Sequence, residues 1–100
     1  MILVVTYELK QPTASYSKLF EALKSQTSWA HYMSSTWFVE TDFSPQELFN
    51  ELIPNVFEGD RMLITELAPG YHGWLPSKAW DWIRRYQQRS GEVGNRLASP

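Results

Sequence analysis

The sequence predicts a single α+β domain with an antiparallel sheet and two helices on one face of it. The length of 100 residues fits one domain. Aromatic residues make up 15% of the chain and supply the large side chains that a short core needs. The elements are predicted in the order strand, helix, two strands, helix, strand. The chain has no cysteine, so disulfide frameworks and thiolate metal sites are excluded.

The first half of this order starts with a buried central strand. Residues 2–9 are mostly β-branched or aliphatic, and Pro12 follows shortly after. The next apolar residues have helical spacing and predict a first helix that closes near Gln26. Those apolar residues are Tyr16, Leu19, Phe20 and Leu23.

Two further strands and a second helix follow. Residues 29–33 and 36–41 are rich in aromatic and β-branched side chains and are separated by two serines. Ser44, Pro45 and Glu47 then form a strong helix start, with a capping serine, a proline in the first turn and a glutamate able to complete a capping box. The helix ends at Pro54, and residues 62–67 predict the fourth strand.

This element order is that of a ferredoxin-like βαββαβ sandwich. A third helix is predicted from Ser77 onward, with an apolar stripe made by Ala79, Trp82, Ile83 and Tyr86. Trp80 is expected on another face of this helix, which predicts a second packing partner and an aromatic homodimer interface. The domain is expected to cover residues 1–90, with Ser90-Gly91 ending the helix and a disordered tail at 91–100.

The net charge of the chain and the apolar segment at its start exclude some classes of function. The net charge of −2 argues against a polycation drawn to nucleic acid by its overall field, so any such contact must be local. Acidic residues dominate positions 40–66, and basic residues dominate positions 78–96. The apolar start lacks a basic n-region and reaches Glu8 and Lys10 too early for a signal peptide or membrane span. We therefore expect a cytoplasmic protein without a membrane partner.

Several segments together resemble a known family. Residues 4–9 are similar to the hydrophobic-Tyr-Asp-hydrophobic strand that opens the second CRISPR-associated (Cas) protein family. Residues 35–39, 43–48 and 59–64 look like its Ser-x-aromatic strand, its second helix and its Asp-led last strand. The segment 73–82 resembles the C-terminal signature of the SinR-like group of small bacterial Cas-like proteins. The match to the broader family covers about residues 1–68.

The resemblance implies a ferredoxin-like homodimer associated with nucleic acid. Some members of the family are Mg²⁺-dependent nucleases in which the acid of the first strand meets its counterpart across the dimer axis and holds the metal. That acid corresponds to Glu8 here, so Glu8 from both protomers is the candidate metal ligand and catalytic residue. The family residue is usually aspartate, and the extra methylene of glutamate would displace the metal unless the dimer spacing changed.

Several alternatives remain open from the residues themselves. Glu8 can instead have a structural role, either paired with Lys10 or simply exposed at the solvated end of a strand. In that case the protein is a non-catalytic homodimer that binds another protein. Arg84, Arg85 and Arg89 are candidate phosphate contacts, although cations at this end of a helix also favour the helix dipole. A small-ligand sensor is a third function compatible with the fold. His31 and His72 have no recognisable orienting partner, and neither is assigned a catalytic role.

Overall fold

A computed structural model describes the backbone of residues 1–98 and the side chains up to Gln87. It contains four strands and three α-helices, with short 3₁₀ turns at Thr13–Tyr16 and Ile53–Asn55. The strands are β1 (Ile2–Glu8), β2 (Ser28–Met33), β3 (Thr36–Glu40) and β4 (Arg61–Glu66). The helices are α1 (Ser17–Lys24), α2 (Pro45–Leu52) and α3 (Ser77–Ala98).

The strands form one antiparallel sheet in the order β2-β3-β1-β4. β1 is central, as its continuous apolar run predicts, because Leu3 lies opposite Val39 of β3 and Glu66 of β4. The pairing of β2 with β3 shifts register between Ala30 and Met33. This four-stranded α+β arrangement is compatible with a ferredoxin-like fold.

One face of the sheet carries α1 and α2. Leu3 and Val5 of β1 point to this face and are fully buried, together with Trp37 and Val39 of β3. The helices contribute apolar side chains at helical spacing, which closes the layer. Those helical side chains are Leu19, Leu23, Leu48 and Leu52, and Tyr16 joins them from the preceding 3₁₀ turn.

The opposite face is covered by α3. Ile2 of β1 and Phe38 of β3 point to this face, where Ile83 of the helix packs on them. Trp82 lies alongside and donates its indole N–H to the Ser28 hydroxyl at 2.9 Å. Helices therefore pack on both faces of the sheet, and α3 covers the part of its face formed by Ile2, Ala30 and Phe38. Leu63 of β4 lies on the same face beyond this part and is 63% exposed.

The structure confirms the start signal of α2. The Ser44 side chain accepts a hydrogen bond from the Glu47 backbone N–H, and the Glu47 carboxylate accepts one from the Ser44 N–H. Pro45 occupies the first turn, where a missing N–H costs nothing. This reciprocal pair satisfies two backbone donors that the helix itself leaves free.

The structure bears on two expectations for the C-terminal region, the second partner of Trp80 and the end of α3. Trp80 packs against the same cluster as Ile83 and stacks on Tyr71 with ring centroids 6.3 Å apart. The second packing partner expected for Trp80 is thus found in the same chain, in the segment before α3, and the homodimer interface stays a prediction. The α3 backbone continues to Ala98 beyond Ser90-Gly91, and side chains after Gln87 lie outside the described residues. The disordered tail at 91–100 stays a prediction.

Candidate functional site at the end of β1

Glu8 is the last residue of β1, and its carboxylate lies at the surface. Its side chain is 61% exposed, and one carboxylate oxygen is 3.2 Å from the Lys10 ammonium. Arg61 lies directly across the strand pair, in register with Glu8. Among the described residues, no group of three or more His, Asp or Glu side chains is placed to hold a metal ion. Within one chain, Glu8 therefore makes the ion pair that its sequence neighbour predicts.

The arginines of α3 whose side chains are described do not pair with Glu8. Glu8 points to the same sheet face as Ile2, on which Ile83 of α3 packs, but it lies at the opposite end of β1 from Ile2. Arg84 forms an ion pair with Asp81 one turn earlier in the helix, and both side chains are exposed. Arg85 is exposed as well, whereas the side chain of Arg89 lies outside the described residues. The structure does not bring Arg84 or Arg85 together with Glu8 in one site.

Asp60 organises the loops beside Glu8. Its carboxylate accepts hydrogen bonds from the backbone N–H groups of Lys10 and Phe57, each at 2.8 Å. The Tyr16 hydroxyl donates to the same carboxylate, with oxygens 2.8 and 2.9 Å apart, and accepts from the Gln11 N–H at 3.0 Å. One carboxylate thus ties the segment after β1, the turn before α1 and the turn before β4 to one another.

The same contacts set the acidities of this cluster. Burial acts to raise the pKa of Asp60, but the N–H groups of Phe57 and Lys10, the Tyr16 hydroxyl and the Lys10 charge outweigh it and hold that pKa below its usual value. Burial raises the pKa of Tyr16, and the neighbouring Asp60 charge raises it further against the opposing Gln11 hydrogen bond. Asp60 is therefore the anion of the pair and Tyr16 the donor.

A cleft of about 490 Å³ opens on the α1 side of the same end of the sheet. Trp37 forms its base and is held on several sides. The His31 ring stacks on Trp37 with centroids 4.0 Å apart and planes 13° from parallel. Phe20 lies near-parallel to the indole at 6.1 Å, and the indole N–H donates to the Tyr7 hydroxyl at 2.9 Å. The aromatic floor of the cleft is thus fixed by packing and by a hydrogen bond.

The rim of the cleft is polar. Tyr7 and His31 both approach the backbone carbonyl of Ser34, at 3.4 and 3.3 Å, so the β2–β3 turn is held against the cleft. Burial raises the pKa of Tyr7, and the hydrogen bond from Trp37 offsets part of that rise. The remaining polar lining residues are Gln11, Thr13, Lys24 and Ser35.

These cleft residues were missed as a site by the sequence reasoning. Tyr7, His31 and Trp37 lie on three different strands, and no local spacing connects them. The periodicity of the strands was the signal that could have found them. Alternation along β2 and β3 places Trp29, His31 and Trp37 on the sheet face that packs against α1 and α2. The lysine facing that aromatic group comes from α1, so only the three-dimensional fold brings it there.

A second surface lies beside the segment that precedes α3. Trp74 is 100% exposed, and Tyr71 and Met33 are each 40% exposed beside it. They line an apolar cavity of about 230 Å³ whose inner wall includes Phe38 and Ile83. We refer to Met33, Tyr71 and Trp74 as the Trp74 surface.

Comparison with known proteins gives no assignment of family or relative: no protein-family model matches the chain, and no curated protein matches its sequence. No helix among the described residues is both long and apolar enough to cross a membrane.

Proposed function

We propose that this protein is a homodimeric interaction module with a ferredoxin-like fold of the Cas-like type. The proposal rests mainly on the Trp74 surface. A fully exposed indole beside other exposed apolar side chains is unusual for a monomer. Such groups commonly mark a protein interface.

The ferredoxin-like part of the proposal is supported by the chain order and the strand pairing. Two strand–helix–strand units, with β1 and β3 as the inner strands and both helices on one face, are what a βαββαβ sandwich requires. α3 is then an addition to that unit, covering the face that the two helices leave open.

The homodimer is supported by the energetics of the Trp74 surface. Burying one tryptophan removes roughly 150–250 Å² from water, which at about 25 cal/mol per Å² is favourable by about 4–6 kcal/mol before ordering costs. In a two-fold dimer the same patch is used twice, so two indoles are buried together. Glu8 then serves as the surface partner of Lys10, without a catalytic role.

Light scattering tests the homodimer directly. At micromolar concentration, we expect the wild type to have a mass near twice 11.7 kDa and the Trp74→Ala variant a mass near 11.7 kDa. Leu63→Ala is the matched control, since Leu63 is 63% exposed on β4 but does not line the cavity beside the Trp74 surface. A wild-type mass of one chain, or a dimer unaffected by Trp74→Ala, would contradict the proposal.

A second candidate function is a nucleic-acid-associated protein with Mg²⁺-dependent endonuclease activity. The observation that favours it is the exposure of Glu8 at a strand end, where the Glu8 of a second copy could approach. Mg²⁺ prefers octahedral oxygen ligands, whereas the described residues of one chain contain no group of three or more potential metal ligands and Glu8 is already paired with an ammonium. The residues of one chain therefore do not fit the metal by themselves, and the activity would require the dimer.

Cleavage assays separate the two functions. Single-stranded RNA and duplex DNA would be incubated with the protein with and without Mg²⁺, beside Glu8→Ala and the control Glu58→Ala, another exposed carboxylate. Cleavage that requires both Mg²⁺ and Glu8 would establish the endonuclease and displace the interaction module.

Binding without cleavage would place the protein among nucleic-acid partners. If Arg84 and Arg85 contact phosphate, replacing both by glutamine should weaken binding and reduce its dependence on salt, by about 0.7–0.9 in the logarithmic slope per lost contact. Lys18→Gln, an exposed lysine on α1, is the control.

A further inference from the structure

The cleft above Trp37 has the size and the shape of a small-molecule site. Its volume of about 490 Å³ lies within the roughly 300–1,000 Å³ typical of such pockets. It lies on the α1 side of the sheet, whereas the Trp74 surface borders α3. Ligand binding in this cleft would therefore use a different surface from the dimer contact proposed above.

The walls of the cleft suit a planar ring. Tyr7 and Phe20 are half-buried and His31 is exposed, so part of each ring remains available while Trp37 supports them from behind. The near-parallel stack of Phe20 and His31 on the indole keeps the wall rigid, so little side-chain entropy is lost when a ligand binds. Stacking on such aromatic side chains is a general mode of base recognition.

The charge of the cleft favours an anion. Lys24 is the one lysine, arginine or acidic residue among the described residues that line it. The Lys24 ammonium lies 5.3 Å from the centre of the Trp29 ring and has no carboxylate partner within 4.0 Å in the part of the chain with described side chains. A ligand phosphate would thus meet a cation that is not already neutralised.

The rim provides hydrogen-bonding groups between the ring wall and the cation. The side chains of Gln11 and Thr13 make no hydrogen bond to the described residues, and the Ser34 and Ser35 hydroxyls are free in the same sense. An amide and three hydroxyls can pair with the edge of a base and with ribose hydroxyls. The cleft thus offers a partner for each part of a nucleotide. The aromatic side chains suit the base, the neutral polar groups suit the ribose hydroxyls, and Lys24 suits the phosphate.

We propose that this cleft binds one nucleotide unit, a nucleobase with its sugar and phosphate, either free or at the end of a strand. The base lies against Tyr7, Phe20 and His31, and the phosphate lies at Lys24. The proposal goes beyond the interaction module and does not depend on the dimer or on Glu8.

Calorimetric titration of the full-length wild type with AMP, GMP, CMP and UMP tests the proposal. Adenosine and inorganic phosphate, each alone, are the comparison ligands. We expect AMP to bind at least about tenfold more tightly than either, because the ring and the charge are both needed. A four-nucleotide RNA with a terminal phosphate distinguishes the two sources: tighter binding than AMP indicates a strand end, and equal or weaker binding indicates a free nucleotide.

Lys24→Gln should weaken AMP binding at least about fivefold and leave the weaker binding of adenosine unchanged. Lys18→Gln is the matched control, because Lys18 is exposed on the same helix but does not line the cleft. His31→Ala should weaken AMP and adenosine alike, since it removes part of the ring wall. Circular dichroism of each variant verifies that the fold is kept.

Absence of heat with all four nucleotides up to millimolar concentration would overturn the proposal. Equal affinity of the wild type and Lys24→Gln for AMP would also overturn it, as would phosphate binding as tightly as AMP. If the wild type binds no nucleotide but is a dimer, the nucleotide proposal is wrong and the proposed interaction module is unaffected. The two proposals can therefore be refuted independently.

Discussion

Replacing Tyr7 by phenylalanine tests how the aromatic floor of the cleft is held in place. The substitution keeps the ring and removes the hydroxyl that accepts the Trp37 indole N–H at 2.9 Å. Trp37 is only 1% exposed, so its N–H loses its partner where water has little access. A buried donor left without a partner costs about 1–3 kcal/mol, and half-burial of Tyr7 places the expected loss near the lower end, at about 1–2 kcal/mol.

That loss is measurable in a domain of this size. For a chain of roughly 100 residues, a change of 1 kcal/mol shifts Tm by about 4–8 °C, so Tyr7→Phe should lower Tm by about 4–16 °C. Urea unfolding followed by circular dichroism gives the free energy of unfolding independently. Tyr32→Phe is the matched control, because Tyr32 is 42% exposed, and its loss should stay within about 0.5 kcal/mol.

A double-mutant cycle identifies the hydrogen bond as the cause. In a Trp37→Phe background the donor is already gone, so Tyr7→Phe should cost less than about 0.5 kcal/mol more. If Tyr7→Phe is no more harmful than Tyr32→Phe, or if it costs the same in both backgrounds, the reasoning about the floor of the cleft is refuted.

Three further predictions concern the rest of the fold. Ile83→Ala removes three buried carbons at about 0.8 kcal/mol each and leaves a cavity, so unfolding should become easier by about 2.5–4 kcal/mol; an effect below about 0.5 kcal/mol in urea unfolding would show that α3 does not dock on the sheet. Ser44→Ala should cost about 1 kcal/mol by the same measurement, with exposed Ser15→Ala as a near-neutral control. Asp60 has a lowered pKa, so its stabilisation is full above the unfolded pKa near 3.9 and is lost as pH falls through the folded pKa. Asp60→Asn should therefore be less stable than the wild type at pH 7, and the two Tm values should converge in acid; a constant difference down to pH 2 would contradict the assignment.

The elements of the fold could be predicted from the sequence because their signals are local. The capping residues Ser44 and Glu47 fix the start of α2, and the unbroken apolar run of β1 indicates its central position. The position of α3 was harder to predict. Its stripe at Ala79 and Ile83 shows that one face is buried, but periodicity does not say against which surface.

The candidate site was less predictable because its parts are non-local. Glu8 and Lys10 are near neighbours in sequence, so their ion pair is one of the alternatives that the sequence itself indicates. The role of Asp60 was not foreseen, since its partners Lys10 and Tyr16 are more than 40 residues away. The cleft also requires β1, β2, β3 and α1 to be in place before its lining exists.

The placement of α3 changes where this fold can bind a ligand. Ferredoxin-like sheets that recognise nucleic acid use exposed aromatic residues on the open face of the sheet. Here Phe38 on that face is covered by Trp82, with ring centroids 6.4 Å apart, and is only 6% exposed. Binding at the centre of this face would require α3 to move and Ile83 to be exposed.

Among the described side chains, accessible aromatic residues border a cavity at two places outside the covered sheet centre. At the end of β1 they lie beside Lys24, which has no carboxylate partner among the described side chains, and beside hydroxyls that make no hydrogen bond to the described residues, which suits a polar, charged ligand. At the Trp74 surface they adjoin an apolar cavity, which suits another protein surface. The different chemistry of the two places is the reason for assigning a nucleotide to the first and a second copy of the chain to the second.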